Sequence, residues 1–143
     1  MSDVTRADFA HFEVISTRWD DEDYYGHINN VKYYSFFDTA VNGFLMRESG
    51  ADIRLLDSIG LVVESKCEFK RELKFPQDVE VGLAVGKVGN SSIVYNIAIF
   101  QGDFASPAAV GHFVHVYVDR RSQTVTTIPD IIRESVKKIE HFS

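Results

Sequence analysis

Residues 31–49, VKYYSFFDTAVNGFLMRES, decide the fold because they form one long segment with helical spacing. The other face of this segment is also largely apolar, with Phe36, Ala40 and Gly43 on it. A helix that is apolar most of the way round is buried in the protein, and Gly50 is the predicted residue at which it ends. The main apolar stripe consists of Tyr33, Tyr34, Phe37, Val41, Phe44 and Leu45.

Segments with the alternating apolar pattern of β-strands lie on both sides of this helix in the sequence. A first strand is predicted at 9–18, with Phe12 and Val14 facing the core. The segment 92–100, SIVYNIAIF, is apolar on both faces, which indicates a central strand. A short amphipathic helix is expected after Pro129, with Asp130 as its N-cap. The remaining strands are predicted at 61–71, 79–85 and 108–118.

The segment 61–71, LVVESKCEFKR, has a regular period of two. Its odd positions carry most of its apolar side chains, and charged side chains occupy the alternate positions. This pattern predicts a strand with one buried and one solvated face. The predicted buried side chains are Leu61, Val63, Cys67 and Phe69.

The order of the elements indicates the fold class. One strand, one long helix, four strands and a short helix are segregated along the chain, which is typical of an α+β protein. A single antiparallel sheet of five or six strands must therefore wrap around one long central helix. The 143 residues are enough for one domain with its own core, so residues 1–143 are expected to form a single domain.

Composition and charge exclude several classes of function. The net charge is −6 and no basic block is present, which argues against binding to nucleic acid or to an anionic membrane surface. No apolar run approaches the roughly 20 residues that span a bilayer, and the first residues do not resemble a secretory signal. The lone Cys67 fits a reducing compartment, so a cytoplasmic protein is expected.

The loop before the long helix gathers unusual chemistry. Four acidic residues occupy positions 20–23, and Gly26-His27 and Asn29-Asn30 follow them. An EF-hand calcium loop would fit Asp21, Asp23 and Gly26, but Lys32 stands where a bidentate Glu is required. Zinc is no better supported, because His112 and His115 are three apart in a strand and point to opposite faces. No metal site is therefore predicted.

The motif Asp21-x-Asp23-x-x-Gly26-His27-Ile28-Asn29-Asn30, between a strand and a Tyr-rich helix, resembles the 4-hydroxybenzoyl-CoA thioesterase-like branch of the hotdog-fold acyl-CoA thioesterases. The later strand spacing, Ser91-Ser92, the stretch 115–120 and Pro129 extend the resemblance over most of the chain. It implies a hotdog fold and hydrolysis of an acyl-CoA thioester to free acid and CoA. It also implies a cytoplasmic homodimer or homotetramer whose active site lies between protomers, without metal or redox cofactor.

By position in this motif, the resemblance assigns Asp23 as the catalytic carboxylate, acting as general base or as nucleophile. The same resemblance assigns the backbone N–H of Asn30 as the group that polarises the thioester carbonyl. Thioester hydrolysis requires an activated oxygen nucleophile and stabilisation of the developing oxyanion. A helix N-terminus supplies unpaired N–H groups and positive partial charge, so the assignment is chemically coherent.

Each of these residues also has a simpler explanation. Asp23 can be one of several surface carboxylates, and the side chains of Asn29 and Asn30 suit capping of the helix. His27 is a candidate catalytic residue that either holds the loop by hydrogen bonding or binds the substrate carbonyl. Cys67 alternates with apolar side chains and is interpreted as a core residue rather than a nucleophile.

Candidate substrate-binding residues are Asn29 and Tyr33 beside the helix start, and Lys87, Ser91 and Ser92 near the later turn, where the family holds CoA. Arg71 and Arg120 are alternative basic residues for the CoA phosphates. The acyl group itself is not specified, since an aromatic stripe on a buried helix is often only core.

Two other functions compete with the thioesterase hypothesis. A hotdog hydratase or dehydratase would carry an Asn-Pro-x-His type motif, and the chain has no Asn-Pro pair. A non-catalytic module that binds acyl-thioesters would not need Asp23. Release of free CoA from a panel of acyl-CoAs would separate the three.

Overall fold

The computed structural model describes residues 3–140. Its longest element is the helix α1, Asn30–Ser49, whose buried side chains run along its whole length. The N-cap Asn29 accepts a hydrogen bond from the Val31 N–H at 3.0 Å. Gly50 ends the helix in the left-handed conformation, with φ of +68°, and its N–H is bonded to the Met46 carbonyl. The predicted helix and its C-terminal glycine are confirmed.

One antiparallel sheet of five strands packs against α1, in the order β1-β3-β4-β5-β2. The central position of β4, which is apolar on both faces, agrees with the prediction. The short helix α2, Asp130–Val136, follows the last strand and packs on α1, although its N-cap is Pro129 rather than Asp130. The α+β hotdog fold is therefore confirmed. The strands are β1 His11–Ile15, β2 Ser58–Phe69, β3 Val79–Val88, β4 Ser92–Phe100 and β5 Ala109–Asp119.

The strand β1 presents a different face to the core than predicted. Glu13 is buried, whereas Val14 is 64% exposed. The Glu13 carboxylate has two cationic or polar partners, the His11 ring and the Arg47 guanidinium of α1. A buried carboxylate is tolerated when it is paired and hydrogen-bonded, so the period-two interpretation of residues 9–18 was wrong by one position.

The strand β2 also departs from its predicted pattern. Leu61, Val62 and Val63 are all substantially exposed, and of the four side chains predicted to be buried only Cys67 is half-buried against the core. Two features explain this: β2 lies at the edge of the sheet, and Val63 is skipped in its pairing with β5. A bulge re-aims the side chains around it. The sequence pattern was correct for a strand, but no other part of the described chain covers Leu61, Val62 and Val63.

Two polar side chains lie deep in the core without a hydrogen bond. Tyr95 Oη on β4 and His115 Nε2 on β5 have no partner among residues 3–140. Their rings are adjacent, with centroids 5.0 Å apart. Burial lowers the pKa of His115 from 6.5 to about 4, because an imidazolium at this position would be desolvated. His115 is therefore neutral at physiological pH.

The lowered pKa of His115 predicts a loss of stability in acid. Below pH 6.5 the unfolded chain protonates this imidazole, whereas the folded chain does not until about pH 4. The contribution of the neutral imidazole to the free energy of unfolding is therefore fully present above pH 6.5. It is lost as the pH falls from 6.5 towards 4, by about 3 kcal/mol in all. Denaturant unfolding near neutral pH and again at about pH 4.5 should show this loss, and His115→Phe should show a smaller one. An equal pH dependence in both proteins would contradict the prediction.

Candidate active site

The loop before α1 folds back on itself as a small antiparallel ladder. The Asn29 N–H donates to the Asp21 carbonyl at 2.9 Å, and the Asp23 N–H donates to the His27 carbonyl at 2.7 Å. Gly26 stands at the tip with φ of +80°, a conformation that favours glycine. The ladder therefore holds Asp23 opposite His27, immediately before the start of the helix.

Asp23 is anchored through one of its two carboxylate oxygens. Its Oδ1 accepts hydrogen bonds from the backbone N–H groups of Tyr25 at 2.8 Å and His27 at 3.3 Å. Its Oδ2 makes no hydrogen bond within the part of the chain that the structure describes. The carboxylate is thus oriented by the loop while one oxygen stays available for chemistry.

The first residue of α1 offers an unused backbone donor. The Asn29 side chain accepts a hydrogen bond from the Val31 N–H and not from the Asn30 N–H. The Asn30 N–H therefore has no acceptor among residues 3–140. An unpaired N–H at a helix N-terminus carries the positive end of the helix dipole. Asp23 and Asn30 line the same cleft, which has a volume of about 300 Å³. This confirms the capping role of Asn29 and is consistent with the hypothesis for Asn30.

The segment after β2 forms the opposite wall of the cleft. Glu72 Oε2 lies 3.0 Å from His27 Nε2, and the Leu73 N–H donates to Tyr33 Oη at 3.2 Å. Tyr33 packs edge-to-face on Phe69, with ring centroids 4.9 Å apart, and burial raises the pKa of its phenol. The sequence analysis missed Glu72 and Phe69 as site residues, because nothing in their spacing connects them to the loop.

Asp21 has a structural role in the loop. Its side chain is almost fully buried, accepts a hydrogen bond from the Arg18 N–H at 2.8 Å and lies 3.6 Å from Lys32 Nζ. The neighbouring carboxylates are therefore not equivalent. Asp21 holds the loop, and Asp23 faces the cleft.

The residues proposed for CoA lie at the other end of the sheet within one chain. Ser91 lies in the turn between β3 and β4, Ser92 begins β4, and the Ser91 carbonyl accepts a hydrogen bond from the Tyr117 N–H. Tyr117 pairs with Gly60 near the start of β2, whereas the cleft lies beyond the end of that strand. Lys87 precedes the same turn, so the structure does not bring these three residues to Asp23 of their own protomer.

The alternative basic residues divide between the two ends. Arg71 lines the cleft, but its guanidinium stacks on Phe104 at 4.0 Å and donates to the Ser106 carbonyl at 2.8 Å. Arg120 lies after β5, at the end of the sheet where β2 begins. Arg71 is therefore the alternative candidate that the structure places beside Asp23.

The other reactive side chains lie outside the cleft. Cys67 is half-buried, and burial together with the Glu68 carboxylate raises the pKa of its thiol to about 11, so the thiol is protonated. His112 lies on the outer face of β5, 2.6 Å from Glu64, while His115 faces inward.

Within residues 3–140, no helix is long and apolar enough to cross a membrane.

An antiparallel sheet around one long helix defines a hotdog fold, and Asp23 and Asn30 line one cleft at the start of that helix. The model of the thioesterase-like superfamily matches residues 17–136. The chain therefore belongs to this family, and it is a thioester hydrolase.

Solved structures support the same fold. The PA5185 protein of Pseudomonas aeruginosa has 45% sequence identity and a TM-score of 0.92 over 97% of both chains. The DHNA-CoA thioesterase of Staphylococcus aureus has 20% identity and a TM-score of 0.78 over 92% of this chain and 97% of its own. A thioesterase of Thermus thermophilus, solved with coenzyme A and Zn, has 22% identity and a TM-score of 0.75 over 90% of this chain and 98% of its own.

Proposed function

We propose that this protein hydrolyses acyl-CoA thioesters, with Asp23 as the catalytic carboxylate and the Asn30 N–H as the oxyanion donor. One observation carries the proposal: Asp23, whose carboxylate has a free oxygen, and Asn30, whose backbone N–H is unpaired among residues 3–140, line the same cleft. The names of two structural neighbours, one a DHNA-CoA thioesterase and one solved with coenzyme A, support CoA as the thiol. Water adds to the thioester carbon, the C–S bond breaks, and CoA leaves as thiolate.

Two routes for the water oxygen are open to Asp23. As a general base it takes a proton from water, which then attacks the carbonyl carbon. As a nucleophile it forms a mixed anhydride, which water hydrolyses in a second step. Label found in Asp23 after single turnover in oxygen-18 water would establish the anhydride route, because attack of water on the aspartyl carbonyl leaves the label there, and the general-base route places it only in the product acid.

A panel of acyl-CoAs with colorimetric detection of free thiol tests the function itself. The panel should span short, medium and long fatty-acyl groups and aromatic acyl groups. We expect release of CoA from at least one member. Binding without thiol release would favour the non-catalytic module, and hydration of an enoyl-CoA without thiol release would favour the hydratase.

We propose further that two protomers pair through β2 and that the complete site contains residues of both. β2 is a 12-residue edge strand with an exposed apolar stretch, Leu61–Val63. An exposed apolar edge of this length is a template for pairing with another strand. A two-fold axis would run the two copies of β2 antiparallel. The start of one strand then lies beside the end of the other, which is where the partner's cleft begins.

This pairing gives Lys87, Ser91 and Ser92 a role in binding CoA. They lie at the end of the sheet where β2 starts. In the proposed dimer that end faces the Asp23 cleft of the other protomer. The three side chains are therefore positioned to reach a thioester held there, whereas they cannot reach the cleft of their own chain. Asn29 and Tyr33 would contact the same substrate from the helix side.

Val63→Lys should weaken this dimer without unfolding the chain. Val63 is 61% exposed on the edge strand, and its position is skipped in the ladder with β5, so a charge there opposes pairing more than folding. The matched control is Val14→Lys, at a 64% exposed valine on the other edge strand. Analytical ultracentrifugation should show dissociation of the first variant only, with activity falling as it is diluted. Unchanged association of Val63→Lys would rule out pairing through β2.

A cytoplasmic location and a single functional domain over residues 1–143 complete the proposal. The single cysteine supports the location, since a disulfide framework is absent. The family match over residues 17–136 supports the domain assignment. Fractionation of cells that produce the tagged protein would test the location.

A further inference from the structure

The segment after β2 is joined to the loop before α1 by a backbone hydrogen bond with a side-chain contact beside it. The Ile28 N–H donates to the Leu73 carbonyl at 3.2 Å. Ile28 follows His27 in the chain, and Leu73 follows Glu72, so this bond brings the His27 and Glu72 side chains next to each other. Their contact, 3.0 Å between Nε2 and Oε2, therefore joins two groups whose backbones are already connected.

The backbone around the Glu72–His27 contact is fixed, although the two side chains are 59% and 41% exposed. An isolated pair with this exposure contributes little to stability, in part because two side chains lose their freedom. Here the Leu73 N–H is bonded to Tyr33 Oη at 3.2 Å, and Ile28 is only 2% exposed. Less freedom is therefore left to lose, and the contact can orient the imidazole even though it adds little to the free energy of unfolding.

The backbone of His27 holds Asp23 on two sides. The His27 carbonyl accepts a hydrogen bond from the Asp23 N–H at 2.7 Å, and the His27 N–H donates to Asp23 Oδ1 at 3.3 Å. The intervening side chains of Tyr24 and Tyr25 are largely exposed, so their packing does little to fix this part of the loop. Any contact that restrains His27 therefore also restrains the Asp23 carboxylate.

Glu72 also determines which nitrogen of His27 carries a proton. A carboxylate only accepts hydrogen bonds, so the imidazole must donate from Nε2. In the neutral ring Nδ1 is then an acceptor, and no donor is left for a thioester carbonyl. Of the two roles considered for His27, the contact with Glu72 favours holding the loop over binding the substrate carbonyl.

We propose that Glu72 is a positioning residue of the active site, which holds the His27 imidazole and thereby keeps the Asp23 carboxylate oriented towards the substrate. The inference rests on the proposed function of Asp23. Glu72 acts through His27 and takes no part in bond making or breaking. A displacement of about 1 Å at a catalytic group can slow a reaction by about 100-fold. Loss of a weak contact can therefore have a large effect on kcat and a small one on stability.

Substitutions of Glu72 separate its hydrogen bond from its charge. Glu72→Ala should lower kcat by about 10-fold, through partial displacement of Asp23, and leave KM and the melting temperature close to those of the wild type. Glu72→Gln keeps an oxygen that accepts from His27 Nε2 and should retain most of the wild-type kcat. Equal losses of kcat in the two variants would assign the effect to the charge and overturn the positioning role, as would normal kcat in Glu72→Ala.

The matched control is Glu68→Ala, which removes another exposed carboxylate four residues earlier in the chain. The Glu68 carboxylate pairs with Lys66 and Lys70 and not with the loop. Its removal should leave kcat unchanged. A loss of kcat as large as that of Glu72→Ala would mean that any negative charge in this region has the same effect, which would contradict the proposal.

A double variant shows whether Glu72 acts through His27. The variant that combines Glu72→Ala with His27→Ala should be no slower than His27→Ala alone, because the group that Glu72 holds is already absent. Multiplied losses of kcat in the double variant would show that Glu72 acts independently of the imidazole, which would overturn the proposal.

Amide hydrogen exchange, followed by NMR, tests the positioning role without using activity. In Glu72→Ala the Asp23 N–H should exchange about 2- to 5-fold faster than in the wild type, as expected for the loss of one partly exposed pair. The Gly50 N–H at the other end of α1, bonded to the Met46 carbonyl, should exchange at the same rate in both proteins. If no thioester is hydrolysed, the proposed function fails, and faster exchange at Asp23 would still support the positioning role. Equal exchange rates at Asp23 would reject it.

Discussion

Asp23→Asn should fold normally and lose about 10²–10⁴-fold in kcat, the contribution typical of a positioned general acid or base. The substitution keeps an oxygen at the Oδ1 position, which accepts hydrogen bonds from the Tyr25 and His27 N–H groups. The loop can therefore retain its shape. What disappears is the negative charge and basicity of the second oxygen, which a water molecule or the thioester carbon requires.

The control for this variant is Asp20→Asn, which makes the same chemical change three residues earlier. The Asp20 side chain is 73% exposed and makes only a long ion pair with Arg18. Asp20→Asn should therefore leave kcat, KM and the melting temperature close to those of the wild type. Near-normal turnover by Asp23→Asn in the thiol-release assay would end the assignment of Asp23, whichever of the two routes is considered.

Asn30→Pro should lower kcat by about 10²–10³-fold, the effect of removing one oxyanion-hole donor. Proline deletes the Asn30 N–H, which makes no hydrogen bond among residues 3–140, so the ladder of α1 loses nothing. The first position of a helix is the one that proline tolerates best. Asn29 before it already has φ of −60° and ψ of 137°, as a residue before proline requires. The melting temperature should therefore change little.

Asn30→Ala is the matched control, because it removes the same side chain and keeps the backbone N–H. It should retain most of the wild-type kcat. A comparable loss in both variants would assign the effect to the side chain and remove the backbone donor from the mechanism. Equal, near-normal activity in both would place the oxyanion site elsewhere in the cleft.

The sequence predicted helix and strand boundaries better than it predicted which side of a strand faces the core. The boundaries of α1, the cap at Asn29 and the strand β4 were recovered because they depend on periodicity and on local hydrogen bonds. The inward face of β1 was mispredicted, because Glu13 is buried with Arg47, a partner more than 30 residues away in the chain. No period-two pattern contains that pairing. The same limit applies to Glu72, which reaches His27 only through the fold.

By itself the sequence determined the α+β hotdog fold, the thioesterase family and the loop that carries Asp23. The α+β class follows from helical and strand periodicity, and the hotdog fold and the family follow from the resemblance of a motif whose members are close in the chain. Only the tertiary structure decided that Asp23 keeps one free oxygen, that Glu72 and Phe69 complete the cleft, and that His115 is buried in the core. The physical reason is that burial and hydrogen-bond partners are properties of packing between distant segments, and residue spacing does not encode which segments meet.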